Sequence, residues 1–434
     1  MSELLEMNDL YKKIRKAVSP YYRHAEMLVK MVWYNARRSN IIRLIRKKKK
    51  VRVAFMTVNL SMWRCEELFR LLMADDVFDP VMVPMPRPMF NWEAEKEEQY
   101  RLMDYCRQNG FPYIPGYDYD KNIFNGYETI KPDVVFYSQP FSNASYKAHR
   151  VEEFWKRCVF FYVPYCFMIE KSAVFVNTLY FNICQSVFLE NEMIRNMECD
   201  VVSNKGRNFI VTGYLGARKL LVHNESDNLA WKIQSTDIKR IIWAPHHSIL
   251  NKDILNFSNF LDIADDMLSL AREYNGKVQF AFKPHPGLKP KLYDHPEWGK
   301  ERTDRYYAEW NDMPNSILAE GSYERLFRSS DAMIHDCSSF TVEYLYTGNP
   351  VLYVTKDDHT DYLNDFGKAC FDVHYKGKSI SDIRSFIDRV VMDGQDSMKT
   401  IRSEFVNKNL MFDDMCTPEQ IIVNNMKNVC VYGK

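Results

Sequence analysis

The chain has 434 residues, of which 46% are hydrophobic and 26% are charged. This composition is typical of a soluble globular protein, and the length predicts two domains of similar size rather than one core. Ten cysteines are scattered without paired short spacing, which favours reduced thiols in a cytoplasmic protein over a zinc ribbon or a disulfide framework.

The net charge is +1, but the basic residues are concentrated at the start of the chain. The first fifty positions hold 14 Lys and Arg residues against four Asp and Glu residues, with apolar residues such as Trp33 and Ile41 between them. A basic amphipathic helical arm over residues 1–46 is therefore predicted. The arm either lies on an anionic membrane surface or is a solvated helix that covers the first domain. Nucleic-acid binding is disfavoured, because the rest of the chain is net negative.

Apolar strands alternate with helices through the first half of the chain. Strands are predicted over residues 51–58, 80–84, 132–137, 159–164 and 209–212, and helices over 66–73 and 92–107. This alternation is typical of a parallel sheet of the Rossmann type. No Gly-x-Gly-x-x-Gly follows any of these strands, so a dinucleotide cofactor is not supported.

A second series of the same kind begins after the polar stretch 216–238. Strands are predicted over residues 240–244, 278–282, 332–334 and 351–354, with helices over 257–274 and 341–346. The predicted organisation is α/β with two Rossmann-like domains, one over residues 47–215 and one over 216–410. A C-terminal helix within 411–434 is predicted to pack across their junction.

Three polar motifs of the second half follow directly on predicted strands. They are Pro245-His246-His247, Lys283-Pro284-His285-Pro286 and His335-Asp336-Cys337-Ser338-Ser339. Because the carboxyl ends of parallel strands line one crevice, we expect these side chains to converge there. Imidazoles, a lysine, hydroxyls and the N–H groups that begin a helix suit a phosphate or pyrophosphate. His285 would donate to a phosphate oxygen, and Lys283 would offset its charge.

Each motif also has a purely structural interpretation. A histidine before proline is often a hydrogen-bonded turn residue, and Ser338 and Ser339 would serve as helix N-caps. Adjacent residues on an extended chain face opposite ways, so only one of His246 and His247 is expected to point into the crevice. No ligand spacing supports a metal site, and none is predicted.

The second half resembles a known family through three stretches. They are Trp-Ala-Pro-His-His-Ser at 243–248, Phe-Lys-Pro-His-Pro at 282–286, and Ser-Asp-Ala-Met-Ile-His-Asp-Cys-Ser-Ser at 330–339. These stretches are similar to the carboxyl-terminal domain of the CDP-glycerol glycerophosphotransferases, the bacterial teichoic-acid primases and polymerases. The resemblance covers residues 205–360. It implies a GT-B architecture, in which an acceptor domain faces a nucleotide-donor domain across a cleft.

The resemblance also implies roles for individual residues. His285 would contact the donor pyrophosphate, and Ser338 and Ser339 with their amides would cradle phosphate. The predicted catalytic residues are His285, His246 and His247. The predicted donor-binding residues are Pro245, Lys283, Pro286, Asp336, Ser338, Ser339, Glu343 and Gly213.

The first half departs from the family pattern. The family usually carries Trp-His-Gly-Thr-Pro, whose histidine is the candidate base for the acceptor hydroxyl, whereas this chain has no His-Gly pair. The comparable strand end is Phe-Tyr-Val-Pro-Tyr-Cys at 161–166. Asn59, Gln139 and Tyr165 are the predicted acceptor-side residues. His335 and Cys337 also replace the threonine and tyrosine that the family usually has.

The predicted activity is transfer of glycerol phosphate, or a related alcohol phosphate, from a CDP-activated donor to a hydroxyl. The acceptor would be a surface polysaccharide or a teichoic-acid-like or lipid-linked glycan, and CMP would leave. No tightly bound cofactor is predicted, and a divalent-ion requirement stays open. One alternative is a GT-B glycosyltransferase that uses a CMP- or UDP-sugar. Another is a nucleotide-binding module without catalysis. The expected location is the cytoplasm, with the arm at the inner membrane face.

Overall fold

The computed structural model describes residues 2–88, 92–140, 145–171, 176–250, 257–356, 359–411 and 416–433. Side chains are described from residue 21 onward, apart from that of His359. The described chain divides into two compact units. One comprises Met1–Cys166, Ala173–Gly213 and Phe412–Lys434, and the other comprises Phe167–Ser172 and Tyr214–Met411.

The strands and helices alternate along the chain. The strands are β1 (Val51–Thr57), β2 (Phe78–Pro84), β3 (Tyr117–Asp118), β4 (Ile123–Phe124), β5 (Val134–Tyr137), β6 (Val159–Tyr162), β7 (Ser186–Leu189), β8 (Phe209–Val211), β9 (Lys239–Ala244), β10 (Val278–Phe282), β11 (Ser316–Leu318), β12 (Ala332–His335), β13 (Val351–Val354) and β14 (Tyr375–Gly377). The helices are α1 (Ser2–Ile45), α2 (Glu66–Met73), α3 (Trp92–Asn109), α4 (Tyr127–Ile130), α5 (Val151–Phe154), α6 (Leu179–Ile183), α7 (Glu192–Val201), α8 (Ala217–Leu221), α9 (Phe260–Glu273), α10 (Leu288–Tyr293), α11 (Gly299–Asp312), α12 (Glu324–Arg328), α13 (Phe340–Glu343), α14 (Asp365–Asp372), α15 (Ile380–Ser385), α16 (Lys399–Asn409) and α17 (Pro418–Lys427).

The first unit is built on a six-stranded sheet in the order β2-β1-β5-β6-β7-β8. All neighbouring strands run parallel. Such strands are covered on both faces, which explains their nearly continuous apolar sequences. At the centre, Phe55 stacks on Phe136 with ring centroids 4.9 Å apart, and Phe136 stacks on Phe161. The predicted parallel sheet of the first half is thus present.

The second unit has its own six-stranded parallel sheet, in the order β11-β10-β9-β12-β13-β14. Its core is aromatic: the ring of Trp243 lies 5.0 Å from that of Phe282 and 5.3 Å from that of Trp310. Because β9 lies between β10 and β12, the loops after these three strands are neighbours at one edge. That edge carries the three motifs that the sequence singled out.

The predicted basic arm is the helix α1, and its second half packs on the first unit. Tyr34, Ile41 and Ile45 are buried, and Lys30 forms an ion pair with Glu152 at 3.0 Å. These contacts correspond to the second of the two predicted roles of the arm, a solvated helix that covers the first domain. The side chains of the basic residues between positions 12 and 16 lie outside the described part. Within the described residues, no helix combines the length and the apolar character needed to cross a membrane.

The C-terminal helix α17 belongs to the first unit. Its Ile422 and Met426 are fully buried, and it packs against α2. The side chain of Asn425 accepts a hydrogen bond from Ser186 at 2.9 Å. The chain therefore returns to the first unit after the second is complete.

Candidate functional site

Two hydrogen bonds tie the three motif loops of the second unit together. The backbone N–H of His285 donates to the carbonyl of Pro245 at 3.1 Å, which joins the loop after β10 to the loop after β9. The backbone N–H of His246 donates to Asp336 Oδ1 at 2.5 Å, which joins the loop after β9 to the loop after β12. The loops thus form one framework at the carboxyl edge of the sheet, as the sequence predicted.

Three histidine rings meet on this framework. The ring centroids of His246 and His247 are 4.3 Å apart, and that of His285 lies 5.2 Å and 4.1 Å from them, respectively. We call these three residues the imidazole cluster. The expectation that only one of the adjacent histidines would face the crevice is wrong. Strand β9 ends at Ala244, so the alternation of an extended chain does not apply two residues later.

The hydrogen bond of His285 fixes the tautomer of its ring. Its Nδ1 accepts the backbone N–H of Gly287 at 3.0 Å. A neutral imidazole has one nitrogen that accepts and one that donates, so the proton of His285 resides on Nε2. Burial lowers the pKa of His285 to about 3, with smaller contributions from His247, Lys283 and Lys291. His285 is therefore a neutral hydrogen-bond donor at physiological pH.

The same tautomer follows for the other two members of the cluster. Ser248 Oγ accepts two backbone N–H groups, at 2.9 and 3.2 Å, so its own hydrogen is directed to His246 Nδ1, 2.9 Å away. The ammonium of Lys291 lies 3.0 Å from His247 Nδ1 and is a donor only. In all three rings the lone pair of Nδ1 is engaged, and Nε2 carries the proton.

This hydrogen-bond pattern favours an anion over a metal ion. One ring nitrogen from each member of the cluster lies within 4.8 Å of the others, a spacing able to hold a divalent cation. A histidine that ligates a metal through Nε2, however, normally donates its Nδ1 proton to a neighbouring acceptor. Here each Nδ1 accepts instead, and the Lys291 ammonium beside the cluster would repel a cation. Three N–H donors and a nearby ammonium suit a phosphate.

Lys283 adds a second ammonium on the same loop as His285. It is 5% exposed, and its Nζ donates to the carbonyl of Gly321 at 2.9 Å. Burial lowers the pKa of Lys283. A buried ammonium with one carbonyl partner keeps further donors for an anion, since it has three N–H bonds.

Asp336 holds the framework rather than presenting a free carboxylate. It is 3% exposed. Its two oxygens accept the backbone N–H groups of His246 and Asn259, at 2.5 and 2.7 Å. Burial raises the pKa of Asp336 to about 7, against these bonds. Asp336 thus holds the backbone that carries the cluster, through one hydrogen bond to each of its oxygens, and its donor-binding role stays a prediction.

The paired serines are partly exposed, but neither caps a helix. Helix α13 begins after Ser339, whose side chain makes no capping hydrogen bond. The hydroxyl of Ser338 donates to the carboxylate of Glu170. The helix is four residues long and continues as a 3₁₀ turn, Tyr344–Thr347. The N-cap interpretation is thus wrong, because a carboxylate from a distant part of the chain takes the hydroxyl.

Comparison with known proteins bears on this half of the molecule. Residues 221–425 match the model of the CDP-Glycerol:Poly(glycerophosphate) glycerophosphotransferase family. The minor teichoic acid biosynthesis protein GgaB of Bacillus subtilis (strain 168) is 28% identical over 146 residues. The chain is thus similar to that family over residues 221–425, here called the glycerophosphotransferase segment. The alignment with GgaB covers 32% of this chain and 14% of GgaB.

Solved structures show that the similarity in fold extends over most of the chain. A variant of the wall teichoic acid polymerase TagF has a TM-score of 0.54 at 11% identity. The alignment covers 94% of this chain and 98% of the TagF chain. The UDP-GlcNAc 2-epimerase from Neisseria meningitidis, bound to UDP-GlcNAc, has a TM-score of 0.55 at 15% identity, with coverages of 87% and 99%. Each of the two units is a Rossmann-like domain of the GT-B fold, as the resemblance implied.

The glycerophosphotransferase segment also contains three other predicted donor-binding residues. Glu343 is buried and accepts a hydrogen bond from the Tyr323 hydroxyl. Pro245 is buried and supplies the carbonyl that holds His285, whereas Pro286 is exposed. Gly213 lies outside the segment, in the first unit, with a positive φ of 91°.

The predicted acceptor-side residues lie in the first unit. Asn59 caps a 3₁₀ turn by accepting the N–H of Met62 at 3.0 Å. Gln139 follows β5 and is 2% exposed, and neither atom of its amide has a partner among the described residues. Tyr165 follows β6. Burial lowers the pKa of Arg87, and the electrostatic influence of Tyr165 opposes that shift. Among the predicted acceptor-side residues, Gln139 is thus the one whose buried polar atoms have no hydrogen-bond partner within the described part of the chain.

Sequence reasoning missed three residues that the structure brings to the second unit's site. Lys291, on α10, contacts the cluster, and Ser248 orients His246. Glu170 contacts Ser338 across 168 positions of sequence. Lys291 lies six residues after His285, so a basic residue close to that motif was a detectable signal. Glu170 was not, because its segment was assigned to the first domain.

Proposed function

We propose that this protein transfers an alcohol phosphate, such as glycerol phosphate, from a CDP-activated donor to a hydroxyl of a teichoic-acid-like or other surface glycan. The observation that carries the proposal is the imidazole cluster, which lies inside the glycerophosphotransferase segment. Its three Nε2–H groups and two nearby ammonium groups suit the negative charge of a pyrophosphate.

The reaction assigns a task to each group. The acceptor hydroxyl attacks the distal phosphorus, the bond from that phosphorus to the bridging oxygen breaks, and CMP leaves with the electron pair. His285 donates through Nε2 to a pyrophosphate oxygen, and Lys283 offsets the charge that develops as CMP departs. The engaged Nδ1 atoms of His246 and His247 favour phosphate contact over a role as base.

The test is a screen of purified protein for thermal stabilisation and CMP release. The donors are CDP-glycerol, CDP-ribitol, CMP-sugars and UDP-sugars. Stabilisation by a CDP-alcohol, with CMP released and the alcohol phosphate transferred to an acceptor, supports the proposal. Turnover of a nucleotide sugar alone would move the protein to the glycosyltransferases. Binding without turnover of any donor would make it a nucleotide-binding module.

We also propose that α1 contacts an anionic membrane surface. Exposed apolar residues on this helix, Val29 and Val32, are 70% and 66% exposed, close to the exposed Arg23 and Arg37. Such a face suits the interface of an anionic bilayer. A variant with both valines changed to Asp should lose binding to phosphatidylserine vesicles while its thermal stability is unchanged. Equal binding of variant and wild type would contradict this location.

A further inference from the structure

A short segment of the first half of the chain belongs to the second unit. Residues 167–171, here called the inserted segment, follow the loop after β6 but form an antiparallel bridge with the second unit at Glu170 and Leu363. The backbone N–H of Lys171 donates to the carbonyl of Tyr362, and that of Asn364 donates to the carbonyl of Ile169, at 2.9 and 2.8 Å. The inserted segment is thus held by main-chain bonds.

Packing fixes the inserted segment further. Phe167 is buried and lies 4.6 Å from the ring of Tyr214 and 5.9 Å from that of Phe366. Gly367, in α14, allows close approach: a Cβ there would lie 2.4 Å from the carbonyl oxygen of Ile169. Backbone hydrogen bonds, aromatic packing and a close glycine contact thus fix the position of the inserted segment.

The carboxyl group of Glu170 lies beside the loop after β12, at the carboxyl edge of the second unit's sheet. It accepts the Ser338 hydroxyl, and the backbone N–H groups of Ile169 and Glu170 itself also stabilise its charge. A carboxylate has about four acceptor sites, so these three donors do not exhaust it. Glu170 and Ser338 are both partly exposed. Ser338 follows Asp336 by two residues, and Asp336 bonds the backbone of His246 in the cluster.

The contact with Ser338 shows one kind of group that donates a hydrogen bond to this carboxylate. It is an aliphatic hydroxyl whose hydrogen points at the carboxylate. An alcohol that attacks phosphorus must present the same group to a base within hydrogen-bond reach. The imidazole cluster does not provide that base, because the lone pair of each Nδ1 is engaged and each Nε2 carries a proton.

We propose that Glu170 is the general base that takes the proton of the attacking acceptor hydroxyl. This inference rests on the proposed function. The acceptor O–H bond breaks, its proton passes to the Glu170 carboxylate, and its oxygen bonds to the distal phosphorus of the donor. The phosphorus bond to the bridging oxygen breaks, and CMP carries away the electron pair. The proton on Glu170 then returns to solvent.

The electrostatic surroundings of Glu170 suit this task. Burial of the carboxyl group raises its pKa, and the hydroxyl of Ser338 and the two backbone N–H groups oppose that shift. A carboxylate with a raised pKa is a stronger base than one in water. The driving force for proton transfer is larger as a result.

The experiment compares Glu170→Gln with Glu301→Gln, an exposed glutamate of the same unit. CDP affinity is measured by calorimetry, and CMP release from CDP-glycerol is measured with a glycerol phosphate oligomer as acceptor. We expect Glu170→Gln to lose roughly a hundredfold or more of its turnover, with CDP affinity within about twofold of wild type. Glu301→Gln should match wild type in both.

A second variant separates chemistry from structure. Glu170→Ala should regain part of its CMP release when formate is added, because a small carboxylate replaces the missing base. Wild-type turnover in Glu170→Gln, or an absence of formate rescue, would overturn the role of Glu170 while leaving the proposed function intact. No CMP release by wild-type protein from any CDP-alcohol would overturn both.

Discussion

Gly287 donates its backbone N–H to Nδ1 of His285 at 3.0 Å, and the ring lies so close that a Cβ on Gly287 would be 3.3 Å from the same nitrogen. This contact fixes the tautomer of the His285 ring. With Nδ1 engaged and the pKa lowered to about 3 by burial, the ring is uncharged and offers Nε2–H. In the proposed function, His285 would therefore meet a phosphate as a neutral hydrogen-bond donor and not as a cation.

Substitutions of different length test this tautomer. The amide nitrogen of glutamine reaches the position of Nε2, whereas that of asparagine reaches the position of Nδ1. We expect His285→Gln to retain turnover of CDP-glycerol within about tenfold, and His285→Asn and His285→Ala to lose about a hundredfold or more. The measurement is CMP release at saturating donor.

The matched control for this series is His223→Ala, because His223 is an exposed histidine of the same unit. It should leave CMP release unchanged. Equal loss in the glutamine and asparagine variants would contradict the assigned tautomer. Near-normal turnover in His285→Ala would remove His285 from the site altogether.

The close approach of Gly367 to Ile169 makes a second prediction. A methyl group on residue 367 would lie 2.4 Å from the carbonyl oxygen and 3.2 Å from the carbonyl carbon of Ile169. Because these atoms belong to the backbone, the inserted segment must shift. We expect Gly367→Ala to destabilise the protein by about 1–3 kcal/mol, measured by chemical unfolding.

The control for Gly367→Ala is a change on the same helix, Lys368→Ala. The Lys368 side chain is 43% exposed and its ion pair with Asp365 spans 3.7 Å, so its loss should cost less than about 1 kcal/mol. If Gly367→Ala were as stable as Lys368→Ala, the inserted segment would be less tightly held than its contacts indicate.

The architecture follows from local sequence to a large extent. Helix α2 and strands β10 and β13 begin and end at the predicted residues, because apolar runs with clear flanking turn residues define them. Strand β7 was not predicted, since its four residues lack such boundaries. Strand β14, Tyr375–Gly377, was not predicted because it is a polar edge strand.

The site was predictable where its residues follow strands, and not where it depends on tertiary contacts. The sequence brought His246 and His285 to one edge, because parallel topology alone places them there. It did not predict the partner of Ser338, because Glu170 is 168 positions away. It also missed that His247 turns toward the cluster, since the conformation of the loop after β9 is set by Ser248 and Asp336.

The return of α17 to the first unit makes a third prediction. Ile422 is fully buried in that helix, whereas Ile401, in α16, is 53% exposed. Ile422→Ala leaves a cavity and should cost about 2–5 kcal/mol of unfolding free energy, while Ile401→Ala should cost about 0.5 kcal/mol or less. Chemical unfolding of both variants is the measurement. Similar losses would mean that α17 adds little to the first unit.

The burial of His149 makes the last prediction, a dependence of stability on pH. The ring is fully buried in the first unit, and its Nε2 lies 3.1 and 3.2 Å from the carbonyls of Gly116 and Asn125. Burial lowers the pKa of His149 to about 4, against the influence of these carbonyls. A folded pKa below the unfolded value of about 6.5 means that the contribution is complete above pH 6.5 and is lost as pH falls toward 4.

His149→Phe isolates the contribution of His149 to the pH dependence of stability, because phenylalanine does not titrate and the other ionisable groups are common to both proteins. The variant loses two hydrogen bonds, so wild type should be the more stable protein at pH 7.5. As pH falls from 7.5 to 4, that advantage should shrink by about 3 kcal/mol, since each unit of pKa difference corresponds to about 1.4 kcal/mol. Urea unfolding of both proteins across this range is the measurement. A constant difference would show that His149 titrates normally in the folded protein and is reached by water.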